Sequence, residues 1–478
     1  MAYICNRHIF IIITTMEKNY LLSLFALALS TLTAAAQGNI LAYRYDTANK
    51  TATVTYHVSG SGQRIGYWGD IVIPDVVTYG NEEYKVTGID DYTFKGNEIT
   101  SVVIGKNVKL IGQEAFNGCT LVKSVVIPAS VDSISNWAFS DTGLKTVTLE
   151  DGENPIRLWS WGGYSLFNGS PLETVYLGRN YICERAPFSG FTTLKNATVS
   201  DIVTRLQVGE FNGCRGLRNV KLGRNITDIG DNAFYHCDTL TAITLPDAVT
   251  RIGGEAFESC DMLSSINIPA NVKLIDWEAF QSCHHLQTIS IPASVDSISN
   301  WAFSDTGLKT VYFEDGEHTV HLWSWGGYSL FNGSPLETVY MGRPWESERA
   351  PFSGFTTIKT VHVGPLVTQM STVEYNGCPN ITAVYSHSVV PPFCGSEEVF
   401  EQAVYQHAQL SVPEQSIDAY KSATMWRQFF NITSGISETE MAGENGTDNG
   451  RWYTIGGLQT ATPKRGLFIH NGKKVVVK

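Results

Sequence analysis

Between Leu240 and Cys260, apolar residues stand at Leu240, Ile243, Leu245, Val249, Ile252, Ala256, Phe257 and Cys260, with mostly polar residues between them. Leu240, Ile243 and Leu245 can point inward while Ala242 and Thr244 point outward, which predicts a short strand. Pro246 ends it, because proline has no N–H to give a ladder. Val249, Ile252, Ala256 and Phe257 then bring a second apolar edge back. The phrase Ala256-Phe257-Glu258-Ser259-Cys260 recurs as Ala233-Phe234-Tyr235-His236-Cys237 and Ala279-Phe280-Gln281-Ser282-Cys283. Its aromatic can be followed through Phe94, Phe116, Phe139, Phe167, Phe188, Phe211, Phe234, Phe257, Phe280, Phe303, Phe331, Phe352 and Tyr375. The steps are 22, 23, 28, 21, 23, 23, 23, 23, 23, 28, 21 and 23 residues. A unit this short cannot bury its own apolar side, but a stack of units can. The period therefore predicts a solenoid with a parallel strand ladder.

The pattern L-x-x-I-x-L-P followed by V-x-x-I-x-x-x-A-F-x-x-C resembles the BspA-like leucine-rich repeats over roughly Val86 to Val384. The resemblance implies an α/β repeat fold, mostly β: a right-handed, horseshoe-like leucine-rich-repeat solenoid. It also implies a bacterial surface or secreted protein that adheres to, or binds, host extracellular proteins. Two 28-residue units depart from the pattern.

Outside the repeats the pattern changes. Glu17 and Lys18 precede an apolar run from Tyr20 to Leu32 and the small-residue site Ala34-Ala35-Ala36, so residues 1–36 read as a signal peptide whose true start is Met16. The run is short of the ~20 apolar residues of a membrane anchor, and no transmembrane span is expected in the mature chain. Residues 37–85, with the alternation Thr53-Val54-Thr55-Tyr56-His57-Val58, read as a β-rich N-terminal cap, and 86–384 as about 13 repeat units. A small α/β cap is expected over 385–434, with a helix starting near Pro413 to Tyr420. Residues 435–450 read as a polar linker. Asn471-Gly472 between two apolar runs makes 451–478 a β-hairpin tail. That tail resembles a short version of the type IX secretion sorting segment, which implies export to the cell surface (the outer-membrane exterior) or secretion.

Composition narrows the function. Charged residues are 17% of the chain and the net charge is −12, so no basic field exists to attract nucleic acid. From Arg451 onward there are six basic residues and no acidic one, so an acidic body carries a cationic tail. H-E-x-x-H, G-x-S-x-G and phosphate-cradling loops are missing from the sequence. Carboxylates are scattered rather than paired, as a polysaccharide hydrolase would need. His318-x-x-His321 lacks a third ligand. No enzyme, metal or cofactor is therefore expected.

Cys119, Cys214, Cys237, Cys260, Cys283 and Cys378 share one repeat position. Stacked equivalents point in parallel, which suits a buried thiol ladder better than disulfides. A duplication at an offset of 164 repeats Ile127–Val147 as Ile291–Val311 and Leu158–Tyr176 as Leu322–Tyr340 without change. Its copies diverge at Asn154 to Arg157 against His318 to His321, and at Asn180 to Cys183 against Pro344 to Ser347, which marks adaptable loops. Both long units hold Trp-Ser-Trp-Gly-Gly-Tyr, bringing Trp159, Trp161, Trp323 and Trp325, joined in the second copy by Trp345. These aromatics are candidate platforms for glycan or protein loops, or fillers of the wider unit. The outward strand position carries Tyr176 and then Tyr312, Tyr340, His362 and Tyr385, expected as a continuous binding strip or as cross-strand packing. The partner implied is a host extracellular matrix or other surface protein, with a glycan as the alternative.

Overall fold

The computed structural model describes residues 40–160, 165–324 and 329–434, with the strand backbone at 452–454, 459–460, 466–470 and 473–477. The signal segment, the linker, Trp161 and Trp325 lie outside the described residues.

The chain is a mostly-β solenoid with parallel strands and few helices. Each turn contributes to one or both of two ladders. The long-strand face includes Ser124–Ile127, Thr146–Leu149, Thr174–Leu177, Asn196–Val199 and Asn219–Lys221, all parallel and in register. It resumes from Thr288–Ile291 through Thr310–Phe313, Thr338–Met341, Thr360–Val363 and Ala383–Ser386. The short-strand face runs in two long blocks, Leu110–Ile111 to Tyr181–Cys183 and Asp228–Ile229 to Trp345–Ser347, followed by the pair Gln369–Met370 and Phe393–Cys394. Both blocks end just after a 28-residue unit.

The interior follows from the repeat. Phe rings stack face to face from turn to turn in two runs, Phe94 to Phe188 and Phe211 onward, for instance Phe234 on Phe257 at 5.1 Å and Phe257 on Phe280 at 5.4 Å. The column reaches one unit past Tyr375, to Phe400 at 5.3 Å. Two residues after the aromatic the backbone turns through positive φ, at Gly118 (φ 74°) and Gly213 (φ 71°) and also at Ser259 (φ 57°). Glycine tolerates that conformation without cost, which is why Phe-Asn-Gly-Cys recurs. Gly143 and Gly307 serve closeness instead: a Cβ there would lie 2.0 Å from the carbonyl oxygen of Thr120 or His284.

The ends differ from the middle. Ala42–Asp46 pairs antiparallel with Thr51–Thr55, which in turn pairs parallel with Glu82–Ile89, so an antiparallel strand covers the first ladder edge. At the other end the ladder does not stop at 384. Gln409–Val412 and Asn431–Ser434 continue it in parallel, while helices Gln402–His407 and Ile417–Ser422 pack across the end. Trp426 seals that end, its indole N–H donating to the carbonyl of Pro392 at 3.0 Å. In the tail, Gly466–His470 pairs antiparallel with Lys473–Val477, and Trp452–Thr454 adds to the same sheet. No helix among the described residues is long and apolar enough to cross a membrane.

Candidate functional site

The cysteine ladder is a hydrogen-bond ladder. Cys119, Cys214, Cys237, Cys260, Cys283 and Cys378 are buried and free. Each thiol donates to the carbonyl of the aromatic one turn back: Cys260 to Phe234 at 3.1 Å, Cys283 to Phe257 at 3.2 Å. Burial pushes the Cys119 and Cys214 thiols up to about 12. Where the long units lack cysteine, Ser170 and Ser334 stand at its position and donate to Phe139 and Phe303 at 3.1 and 2.8 Å. The position asks for a small buried donor, and S–H or O–H both satisfy it.

The outward aromatic row is where expectation and structure part. Tyr312, Tyr340, His362 and Tyr385 are adjacent in register on the long-strand face. Yet Tyr312, Tyr340 and His362 are only 6%, 4% and 3% exposed. The expected solvent-facing strip is therefore corrected for these three. Their rings cover one another, Tyr312–Tyr340 at 4.3 Å and His362–Tyr385 at 4.7 Å, and His387 adds a further ring 5.7 Å from His362. Tyr340 also donates to Asp315 at 2.9 Å. Tyr385 and Tyr176 keep partial exposure. The hydroxyl row beside them, Thr310, Thr338 and Thr360, is half-exposed.

The tryptophans divide. Trp159 and Trp323 are 43% and 46% exposed on the short-strand face. Each indole N–H donates to a serine of the adjacent strand: Trp159 to Ser133 at 3.0 Å, Trp323 to Ser297 at 2.9 Å. The surroundings differ. Arg157 lies over the Trp159 ring at 5.3 Å, whereas His321 sits 4.4 Å from the Trp323 ring and 3.7 Å from Glu346. Trp345 is corrected: it is buried, and its N–H donates to Glu374 at 3.0 Å.

Sequence reasoning passed over several buried polar residues. Arg179 and Arg343 are fully buried and donate to backbone carbonyls two turns away, Arg179 to Ala129 at 2.8 Å and Arg343 to Ala293 at 2.9 Å. Burial lowers both, Arg343 to about 10. Glu210 and Glu374 are buried partners of Tyr181 and Trp345, and burial pushes both carboxyls up to about 7. The signal was present: each pair is separated by the offset of the duplication. Among the described residues one trio, Glu255, Glu258 and Glu278, brings its carboxylates within 4.8 Å of one another. Burial and then the neighbouring charges raise Glu258 to about 7. Glu255 and Glu278 are one repeat apart, so the period alone places them together.

Comparison with a family model agrees with the repeat pattern. Residues 87–218 and 180–309 match the model of the BspA type leucine rich repeat region, in six copies. No curated protein matches the chain. Among solved structures, a leucine rich cell surface protein from Faecalibacterium prausnitzii is 21% identical, covering 84% of this chain and 97% of its own, at a TM-score of 0.32. A leucine-rich repeat protein from Bacteroides ovatus is 16% identical over 83% of this chain and 98% of its own, at a TM-score of 0.33. The pneumococcal vaccine antigen PcpA is 15% identical over 84% and 98%, at a TM-score of 0.35. Across residues 87–309, then, the repeats of the solenoid are similar to the BspA type leucine rich repeat region.

Proposed function

We propose that this is an exported bacterial surface protein without enzymatic activity, which binds host extracellular protein through the long-strand face of its solenoid. One observation carries the reading: from Thr288 to Ser434 seven parallel strands stand in unbroken register. The row Thr310, Thr338 and Thr360 faces outward along them, with Tyr385 beside it. A rigid, hydroxyl-rich sheet costs little conformational entropy on docking and offers donors and acceptors at ~4.8 Å intervals. The stacked aromatics beside the row act as its support rather than as its contact surface. The signal segment and the tail resembling a type IX sorting segment fit export and surface attachment.

The test is capture of host matrix proteins and mucins by the full chain, followed by Thr338→Arg. Binding of at least one protein, weakened about tenfold or more by the substitution, is the expected result. Capture that ignores Thr338→Arg, or no capture at all, contradicts the proposal.

A further inference from the structure

The short-strand face is interrupted after Trp345–Ser347. The next strand on that side, Gln369–Met370, pairs onward with Phe393–Cys394 and not back with Ser347. A cavity of about 440 Å³ opens beside this break, with Trp323, Ser324, Ser347, Glu348, Arg349 and Val373 among its walls. Small-ligand sites have volumes of roughly 300–1,000 Å³.

The geometry points to a binding site for a neutral saccharide in this cavity. The Trp323 ring is held by its bond to Ser297 at 2.9 Å, yet is 46% exposed, so an apolar plane is fixed in orientation before any ligand arrives. A pyranose offers a matching C–H face on one side and hydroxyls around its rim. Those hydroxyls meet donors and acceptors of both kinds: the serines, the Glu348 carboxylate and the Arg349 guanidinium. Ser324 adds a buried hydroxyl without a hydrogen-bond partner among the described residues, a group that a ligand hydroxyl would satisfy.

Charge decides between sugar classes. Glu348 and Arg349 are of opposite sign, and Glu346 stands 3.7 Å from His321, so no net positive field rewards a uronate or sialate. In the first copy, Arg157 replaces His321, Cys183 replaces Ser347 and Gly209 replaces Val373 around the equivalent Trp159. That copy keeps the ring and most of the walls, with Ser160, Glu184 and Arg185 standing where Ser324, Glu348 and Arg349 do.

The test is titration calorimetry and tryptophan fluorescence of the full chain with the hexasaccharides of maltose, cellulose, xylan, mannan, laminarin and chitin. At least one is expected to bind and to shift the tryptophan emission. Trp323→Ala should weaken that binding about thirtyfold, and Trp323→Phe should retain most of it. Glu348→Gln with Arg349→Gln, both exposed residues, should weaken it about tenfold, which keeps the test open if Trp323→Ala fails to fold. No binding by any of the six, binding only to acidic glycans such as polygalacturonate or hyaluronan, or binding unchanged by both sets of variants overturns the inference. Each outcome is independent of protein capture on the long-strand face.

Discussion

The duplicated blocks, 127–176 and 291–340, share nearly all their residues but treat one tyrosine differently. Tyr176 and Tyr340 donate to equivalent aspartates, Asp151 and Asp315, at 2.8 and 2.9 Å. Tyr340 is buried and Tyr176 is half-exposed. The cause lies one strand away on each side: Tyr176 has Thr148 and Thr198 as register neighbours, Tyr340 has Tyr312 and His362. An outward-pointing strand position is thus not an exposed one. Large neighbours in register bury it, small ones leave it open.

The interiors, by contrast, are nearly the same, differing at the buried Leu149 and Ile156, which become Phe313 and Val320, and the largest predicted effect tests that sameness. Phe139→Ala and Phe303→Ala should each cost about 4 kcal/mol of local stability, because each ring is stacked on both sides within its run. Hydrogen exchange of the flanking strands reads this better than one melting temperature, since long repeat arrays depart from two-state unfolding. Unequal losses would break the claim of a shared core. At the outer row the copies should diverge. Tyr340→Ala should cost about 3 kcal/mol, as for a buried aromatic, and Tyr176→Ala about 1 kcal/mol. Equal costs would show that the neighbours do not matter.

These contrasts also mark what the sequence could and could not tell. The Phe and Cys positions were legible because burial repeats with the chain's own period, and the Asn-Gly between two apolar runs agreed with the paired tail strands. Burial of Tyr312, Tyr340 and His362 was not, because alternation along a strand reports direction and not what flanks it across the ladder. Trp345 misled for the same reason: its unit reads as a variable loop, yet its indole turns inward to Glu374. The ladder's continuation through Gln409–Val412 and Asn431–Ser434 was hidden because those strands no longer follow the 23-residue step.

A smaller effect compares the buried acids. Glu210 and Glu374 are pushed from 4.5 to about 7 by burial. A carboxyl whose folded value is raised binds its proton more tightly when folded, so its contribution is complete below pH 4.5 and is lost as pH rises towards about 7. Each should contribute up to about 3 kcal/mol across that window. Glu210→Gln and Glu374→Gln should flatten the pH dependence of urea stability by similar amounts, although one acid faces Tyr181 and the other Trp345. A larger change for one copy would show that the partner, not burial, sets the shift. The smallest effect concerns the thiols. Cys260→Ser should be nearly neutral, while Cys260→Ala should cost about 1 kcal/mol for the lost second hydrogen bond to the Phe234 carbonyl, which still accepts from the Cys237 N–H at 3.0 Å, and for the lost volume. A reversed order would mean that the thiol acts by packing alone.

The most direct test of the functional account is a hydrogen-exchange footprint on the full chain, with and without the matrix protein or mucin it captures. The account predicts new protection along the long-strand face between residues 288 and 434, centred on Thr310, Thr338 and Thr360. Protection confined to the short-strand face, or no protein captured, would contradict it.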